Sequence, residues 1–223
     1  CATLGGAATA DVTAARYAEP TTRYTHGILG DAIEFGALVM TVDGVDVTLR
    51  LPQTHVFEDV APRLIDIDQD GVREVMVIET KMTEGARIAI YSGAGELVAA
   101  TPHVGRTNRW YAPIGAADLD GDGTVEVAYI DRPHLARTLR IWRFADGTLT
   151  HLLDLQGLTN HRIGEDNIAG GIRDCGQGPE MITANADWTR VIATVFTDGH
   201  SQSRDIGPHV DRGSFAAAMG CEN

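Results

Sequence analysis

Apolar runs of strand length, separated by turns rich in Gly and Asp, recur along the whole chain. Ala37–Val42, Ala86–Tyr91, Thr138–Phe144 and Val191–Phe196 each read as a buried strand. Each ends at a glycine, Gly44, Gly95, Gly147 or Gly199, spaced 51, 52 and 52 residues apart. Three of these glycines sit in Asp-Gly pairs, a strong hairpin-turn signal. A second strand follows each turn: Val45–Leu51, Glu96–Thr101, Thr148–Leu155 and the more polar His200–Ile206. One unit therefore comprises four strands, and units of this length and period predict propeller blades. Four such units account for all 223 residues.

The same period carries chemistry. Asp66-Ile-Asp68-Gln-Asp70-Gly71-Val-Arg-Glu74 and Asp118-Leu-Asp120-Gly-Asp122-Gly123-Thr-Val-Glu126 are two copies of one acidic loop, 52 residues apart. Carboxylates at alternate positions, a Gly at the sharp turn and a late acid suit a hard, oxygen-loving cation such as Ca²⁺. An EF-hand would need Glu at the twelfth position and a following helix. Here Val77 and Tyr129 stand at those positions, and apolar strands follow. The pattern predicts two Ca²⁺ loops, each joining the first and second strands of a unit. A third copy, Asp174-Cys-Gly-Gln-Gly-Pro-Glu180, has lost most of its carboxylates.

These loops, each ahead of an apolar strand, resemble the FG-GAP/VCBS repeats of extracellular β-propellers such as the integrin α-subunit head. The resemblance covers two repeats well and a third loosely. It implies structural Ca²⁺ at two sites, with ligand roles for Asp66, Asp68, Asp70, Glu74, Asp118, Asp120, Asp122 and Glu126. It also implies that these loops lie opposite the usual ligand-binding face. The whole chain is similar to small secreted alphaproteobacterial VCBS-repeat proteins, a likeness that assigns no activity.

The expected fold is an all-β, compact four-bladed propeller over residues 11–223, preceded by a flexible tether at 1–10. The N-terminal unit reads as lacking its first strand. The tail Ser214-Phe-Ala-Ala-Ala-Met-Gly220 resembles the first strand Tyr111-Ala-Pro-Ile-Gly-Ala-Ala117, so it is expected to insert into the first blade and close the ring. Small residues would let first strands crowd the axis. The alternative is a short helix packed outside.

The formal net charge of −13 argues against nucleic-acid binding, which needs a basic footprint. No apolar run approaches the roughly 20 residues of a membrane-spanning helix. Cys175, in the degenerate loop, and Cys221, in the tail, are expected to form a disulfide that clasps the ring, which implies an oxidising compartment. The alternative is two free buried thiols. Cys1, followed by a small polar stretch, reads as the lipidated end of a periplasmic or cell-envelope lipoprotein, making the lipid anchor its only membrane contact.

Blade topology sends the loops between strands 2 and 3, and between units, to the face opposite the calcium. That face collects Arg106, Asn108, Arg109, Trp110, Tyr111, Arg132, His134, His161, Arg162, Glu165, Asp166 and Trp188. Loops on one side of a rigid scaffold are where binding residues concentrate. Each residue also has a structural reading: Arg109-Trp110-Tyr111 as a plug between units, and His55, His103 and His209 as a repeated feature at strand ends. The expected function is a non-catalytic binding or accessory module meeting a protein or glycan partner, within a membrane-associated complex. The alternative is a hydrolase or lyase with His134 and His161 supplying acid–base groups. No Gly-x-Ser-x-Gly elbow, His-Glu-x-x-His pair or phosphate loop is present.

Overall fold

The computed structural model describes residues 11–222. The fold is all-β and propeller-like, with a single C-terminal helix among the described residues. The four repeat units are carried on three hydrogen-bonded sheets. The first unit holds β1 (Val12–Thr21), β2 (Glu34–Val42) and β3 (Val45–Arg50). The second holds β4 (His55–Phe57), β5 (Arg63–Ile65), β6 (Glu74–Lys81), β7 (Gly85–Tyr91) and β8 (Leu97–Ala100). The third is β9 (Tyr111–Ala117), β10 (Glu126–Asp131), β11 (Thr138–Ala145) and β12 (Thr148–Gln156). The last comprises β13 (Leu158–Thr159), β14 (Gly171–Asp174), β15 (Pro179–Asn185), β16 (Arg190–Thr197), β17 (His200–Pro208) and helix α1 (Arg212–Met219).

Burial explains the strand order. The second strand of each later unit is the most apolar and the most enclosed: β6 is buried from Glu74 to Thr80, and β10 along its whole length. The last strands, β12 and β17, are mostly exposed and polar, as edge strands must be. The three Asp-Gly hairpins form as the sequence predicts, with Asp43, Asp146 and Asp198 and their following glycines all at positive φ. In two units the first strand is split. β4 and β5 pair with opposite ends of β6, and β13 and β14 with opposite ends of β15. β4 also pairs with β2 through Phe57 opposite Phe35, which fuses the first two units into one eight-stranded sheet.

The cores follow the same division. The largest apolar cluster spans the second, third and fourth units through residues such as Ile88, Trp110, Tyr129 and Phe196. A second joins the first two units around Leu38, Met40, Phe57 and Val75. First strands do approach closely: a Cβ on Gly115 of β9 would meet Ile172 Cδ1 of β14 at 3.0 Å.

Two expectations about ring closure are corrected. The N-terminal unit does not lack a strand beside β2, because β1 pairs with it along almost its whole length. Its polar alternation and Pro20 mark an edge strand, so its apolar signal is weak. The tail does not form a closing strand. Asp211 caps α1 by accepting a hydrogen bond from Gly213 N–H, and Ser214 returns a side-chain bond to the Asp211 backbone in a capping box. The alanines at 216–218 are strong helix formers. Phe215 and Ala218 seat the helix on Ile182, Ala184, Val191 and Ala193 of its own unit. Burying Phe215 alone contributes roughly 1.5–3 kcal/mol. The first and last units meet instead through loops, where Gly164 N–H donates to Ile28 C=O at 3.1 Å.

Candidate functional site

Two regions carry the polar chemistry: the acidic loops at one end of the sheets and a cavity at the other. The loops are built from Asx turns. Asp66 accepts from Gly71 N–H at 3.0 Å, and Asp70 from Val72 N–H at 2.7 Å. In the second loop Asp118 accepts from the N–H groups of Gly121, Asp122 and Gly123, and Asp122 from that of Thr124. One oxygen each of Asp66, Asp68 and Asp70 lies within 4.8 Å of the others, and the same holds for Asp118, Asp120 and Asp122. Asp66 Oδ1 and Asp120 Oδ1 are buried without a hydrogen-bond partner. A buried orphan carboxylate oxygen is costly, and a cation at the loop centre would satisfy it. The residues present therefore fit Ca²⁺.

Glu74 and Glu126 stand behind the trios. Glu74 accepts from Ile67 N–H at 3.2 Å and Glu126 from Leu119 N–H at 2.9 Å. Both are buried, and desolvation raises both above the ordinary carboxylate pKa. Each thus bonds the loop backbone, and neither belongs to the clustered trios. Sequence reading did not anticipate Arg143 of β11. Its guanidinium reaches Asp120 at 2.7 Å, Asp122 at 2.9 Å and Glu126 at 2.6 Å. The third copy is a shorter turn, with Asp174 opposite Pro179 and accepting from Gly176 and Gly178 N–H. It replaces the trio by Glu180 between Arg173 and Arg204. The Cys175–Cys221 disulfide is present, with Cα atoms 5.8 Å apart. Because Cys221 follows α1, the bond fastens the helix to its own unit and does not clasp a ring. Cys1 lies outside the described residues.

At the opposite end a half-open cavity of about 360 Å³ is lined by His26, Ile28, Asn108, Arg109, Trp110, Arg132, Pro133, His134, Leu135 and Ile163. Five predicted face residues thus converge on it: Asn108, Arg109, Trp110, Arg132 and His134. Trp110 is its floor, 2% exposed, with its indole N–H donating to Glu58 C=O at 2.7 Å. Arg132 is held by Asp131 through two bonds of 2.8 Å. Arg109 makes no ion pair among the described residues, its guanidinium donating to Asn108 C=O.

His161 lies just behind the cavity, 1% exposed, with its ring 4.9 Å from Trp110. Its Nε2 contacts Glu165 C=O at 2.9 Å, so Nε2 carries the proton. The bare Nδ1 then accepts from His134 Nε2 at 3.0 Å. Burial pushes His134 down to about 4 and lowers His161, so both rings are neutral near pH 7. Tyr111 is not on the face: it is buried against Tyr129, ring centroids 4.4 Å apart. The remaining residues scatter. Arg106 is exposed, Arg162 lies over the Trp188 ring at 4.4 Å, Trp188 packs on Phe215, and Asp166 pairs with Arg212 of α1.

The structure adds a pair that the repeat pattern could not show. His26 Nδ1 and Glu58 Oε1 lie 2.5 Å apart, and Thr80 Oγ1 donates to the other oxygen of Glu58 at 2.6 Å. Glu58 is fully enclosed, and burial raises its pKa. The arrangement fixes the His26 ring and leaves Nε2 free on a residue lining the cavity. Both residues sit outside the repeated strands, 32 positions apart, so only the folded chain joins them.

Fold and loops together define an all-β, propeller-like repeat protein. Residues 66–129, which hold both acidic loops, match the FG-GAP-like repeat family. No curated protein matches the chain by sequence. Among solved structures the chain is similar to exotype rhamnogalacturonan lyase YesX, at 16% identity and a TM-score of 0.42, over 75% of this chain and 40% of that one. It is also similar to rhamnogalacturonan lyase YesW, at 16% identity and a TM-score of 0.43, over 80% of this chain and 43% of that one. The chain thus spans less than half the length of either lyase.

Proposed function

We propose that this chain is a calcium-stabilised, non-catalytic binding module of an oxidising compartment, and that its cavity receives a segment of a partner protein. The observation that carries this reading is the make-up of the cavity mouth. Leu135 and Ile163 are 64% and 68% exposed beside it, and Arg109 stands there without an acidic partner among the described residues. Exposed apolar side chains around a concave site mark recognition surfaces. An apolar side chain flanked by a carboxylate satisfies both features, which favours a peptide segment over a glycan. The disulfide supports the compartment. The orphan oxygens of Asp66 and Asp120 support the calcium.

The test is binding of a library of short acidic, apolar-anchored peptides to the wild-type chain and to an Arg109→Glu/Leu135→Ser variant. Retention by the wild type, lost in the variant at unchanged melting temperature, is the expected result. Equal retention by both, or by neither, overturns the reading.

The His26–Glu58 bond favours a second reading, a hydrolase or lyase in the same cavity. A buried carboxylate orienting an imidazole is how a general base is positioned. The enzymatic alternative therefore rests on His26 more than on the neutral, mutually bonded His134 and His161. Turnover of a polysaccharide or ester that vanishes in His26→Gln would replace the binding reading.

A further inference from the structure

A second cluster of potential ligands lies in the second unit, away from both the acidic loops and the cavity. His55 of β4, Glu79 of β6 and His103, in the segment after β8, each place one ligand atom within 4.8 Å of the other two. His55 Nε2 is 3.8 Å from Glu79 Oε1. Both rings are anchored through the opposite nitrogen. His103 Nδ1 bonds Gly85 C=O at 2.8 Å, so Nδ1 carries the proton and Nε2 is bare. His55 Nδ1 bonds Thr54 Oγ1 at 2.9 Å, which can accept and leave Nε2 bare there too. A metal-bound imidazole is held in this way, its second nitrogen donating to a carbonyl or hydroxyl.

Glu79 is 2% exposed and is oriented from behind by Arg87, with contacts of 2.9 and 3.0 Å to its two oxygens, and by the Tyr91 hydroxyl. Oε1 keeps a lone pair toward the histidines. The third unit supplies an internal comparison. There Asp131 of β10, 52 residues on from Glu79, is bonded by Arg132 and by Arg140 of β11, without a histidine pair beside it among the described residues. The carboxylate there is balanced by two arginines, whereas Glu79 pairs with Arg87 and faces two imidazoles.

We propose that His55, Glu79 and His103 form a binding site for a divalent transition-metal ion, Zn²⁺ by its donor set. Two imidazoles and one carboxylate, with a fourth position left to water, are a zinc ligand set, whereas Ca²⁺ takes oxygen ligands alone. The bound ion would tie the segment carrying His103 to β6 at the centre of the unit.

The experiment uses the full chain, stripped with chelator and then returned to excess Ca²⁺ so that the acidic loops are filled. Zn²⁺ is titrated by calorimetry, and Co²⁺ is added in parallel to read its visible absorption. The wild type is expected to bind one equivalent of Zn²⁺ and to give the intense band of a four-coordinate Co²⁺ site. His103→Ala, a change on a partly buried side chain, is expected to weaken Zn²⁺ at least about tenfold and abolish that band. His55→Ala supplies an independent second variant. Zn²⁺ binding that is absent from the wild type, or that persists unchanged in both variants, overturns the proposal. Persistence would assign the ion to the other histidines.

Discussion

The acidic loop occurs twice on one backbone turn and a third time on a shorter one, and the copies differ in what opposes their charge. In the first, no ion pair joins Asp66, Asp68 or Asp70 to a basic side chain among the described residues. In the second, Arg143 bonds Asp120, Asp122 and Glu126. In the third, the trio is gone, and Glu180 is held between Arg173 and Arg204 beside the disulfide. In each copy backbone N–H groups bond an aspartate of the turn, Asp66, Asp118 or Asp174. The lesson is that turn geometry and cation demand are separable. An arginine from a neighbouring strand can assume part or all of the compensating role that a metal ion would have.

The largest expected effect tests the third copy. Arg173 and Glu180 are each only 6% exposed at the side chain. Arg173→Ala leaves Glu180 to Arg204 alone and is expected to cost about 3 kcal/mol in denaturant unfolding, because one partner of a buried pair is removed. A cost below about 1 kcal/mol would show that arginine has not replaced the ion there.

Chelation sharpens the contrast between the first two. Saturating Ca²⁺ at a hundred times its Kd should add about 2.7 kcal/mol per site. Asp68→Ala is expected to remove the share of the first loop. Arg143→Gln should destabilise the second by about 1–3 kcal/mol in chelator and by less in Ca²⁺, since a bound ion then balances the same carboxylates. Thermal melts of the two variants with and without chelator check this. An equal cost for Arg143→Gln in both conditions would break the comparison.

The smallest effect is in pH. Hydrogen bonds from Arg204 and Arg173 hold Glu180 below its ordinary value of 4.5. A carboxylate lowered in the folded state contributes stability that is complete above its unfolded value and is lost as pH falls through the folded one. Glu180→Gln should therefore flatten the acid side of the stability curve below about pH 5, read from urea midpoints between neutral and acid pH. An unchanged acid slope would remove Glu180 from the account.

Much of this was legible in the sequence because repetition reports the same physics several times. The trios and the Asp-Gly hairpins follow from local pattern and spacing, whereas the Cys175–Cys221 bond was expected from a closing strand that does not form. What escaped has no repeat to amplify it. β1 alternates weakly and carries Pro20, so it reads as irregular chain. The tail matches a first strand in composition, since Ala and Gly suit a crowded strand as well as a helix, and the capping box Asp211–Ser214 decides for the helix. His26 and Glu58 meet only across the fold. Tyr111 looked like a face residue because it follows Arg109 and Trp110, yet β9 is buried on both faces from its first residue.

The fusion of the first two units through β4 has a consequence for motion. Three residues, His55 to Phe57, bond β6 along one side and meet β2 at Phe57 on the other. Strands sharing a ladder tend to open together, whereas separate sheets can open one at a time. Amides of the first half should therefore exchange with solvent deuterium as one cooperative block. The third and fourth units, each bonded as a sheet of its own, are free to exchange on separate clocks.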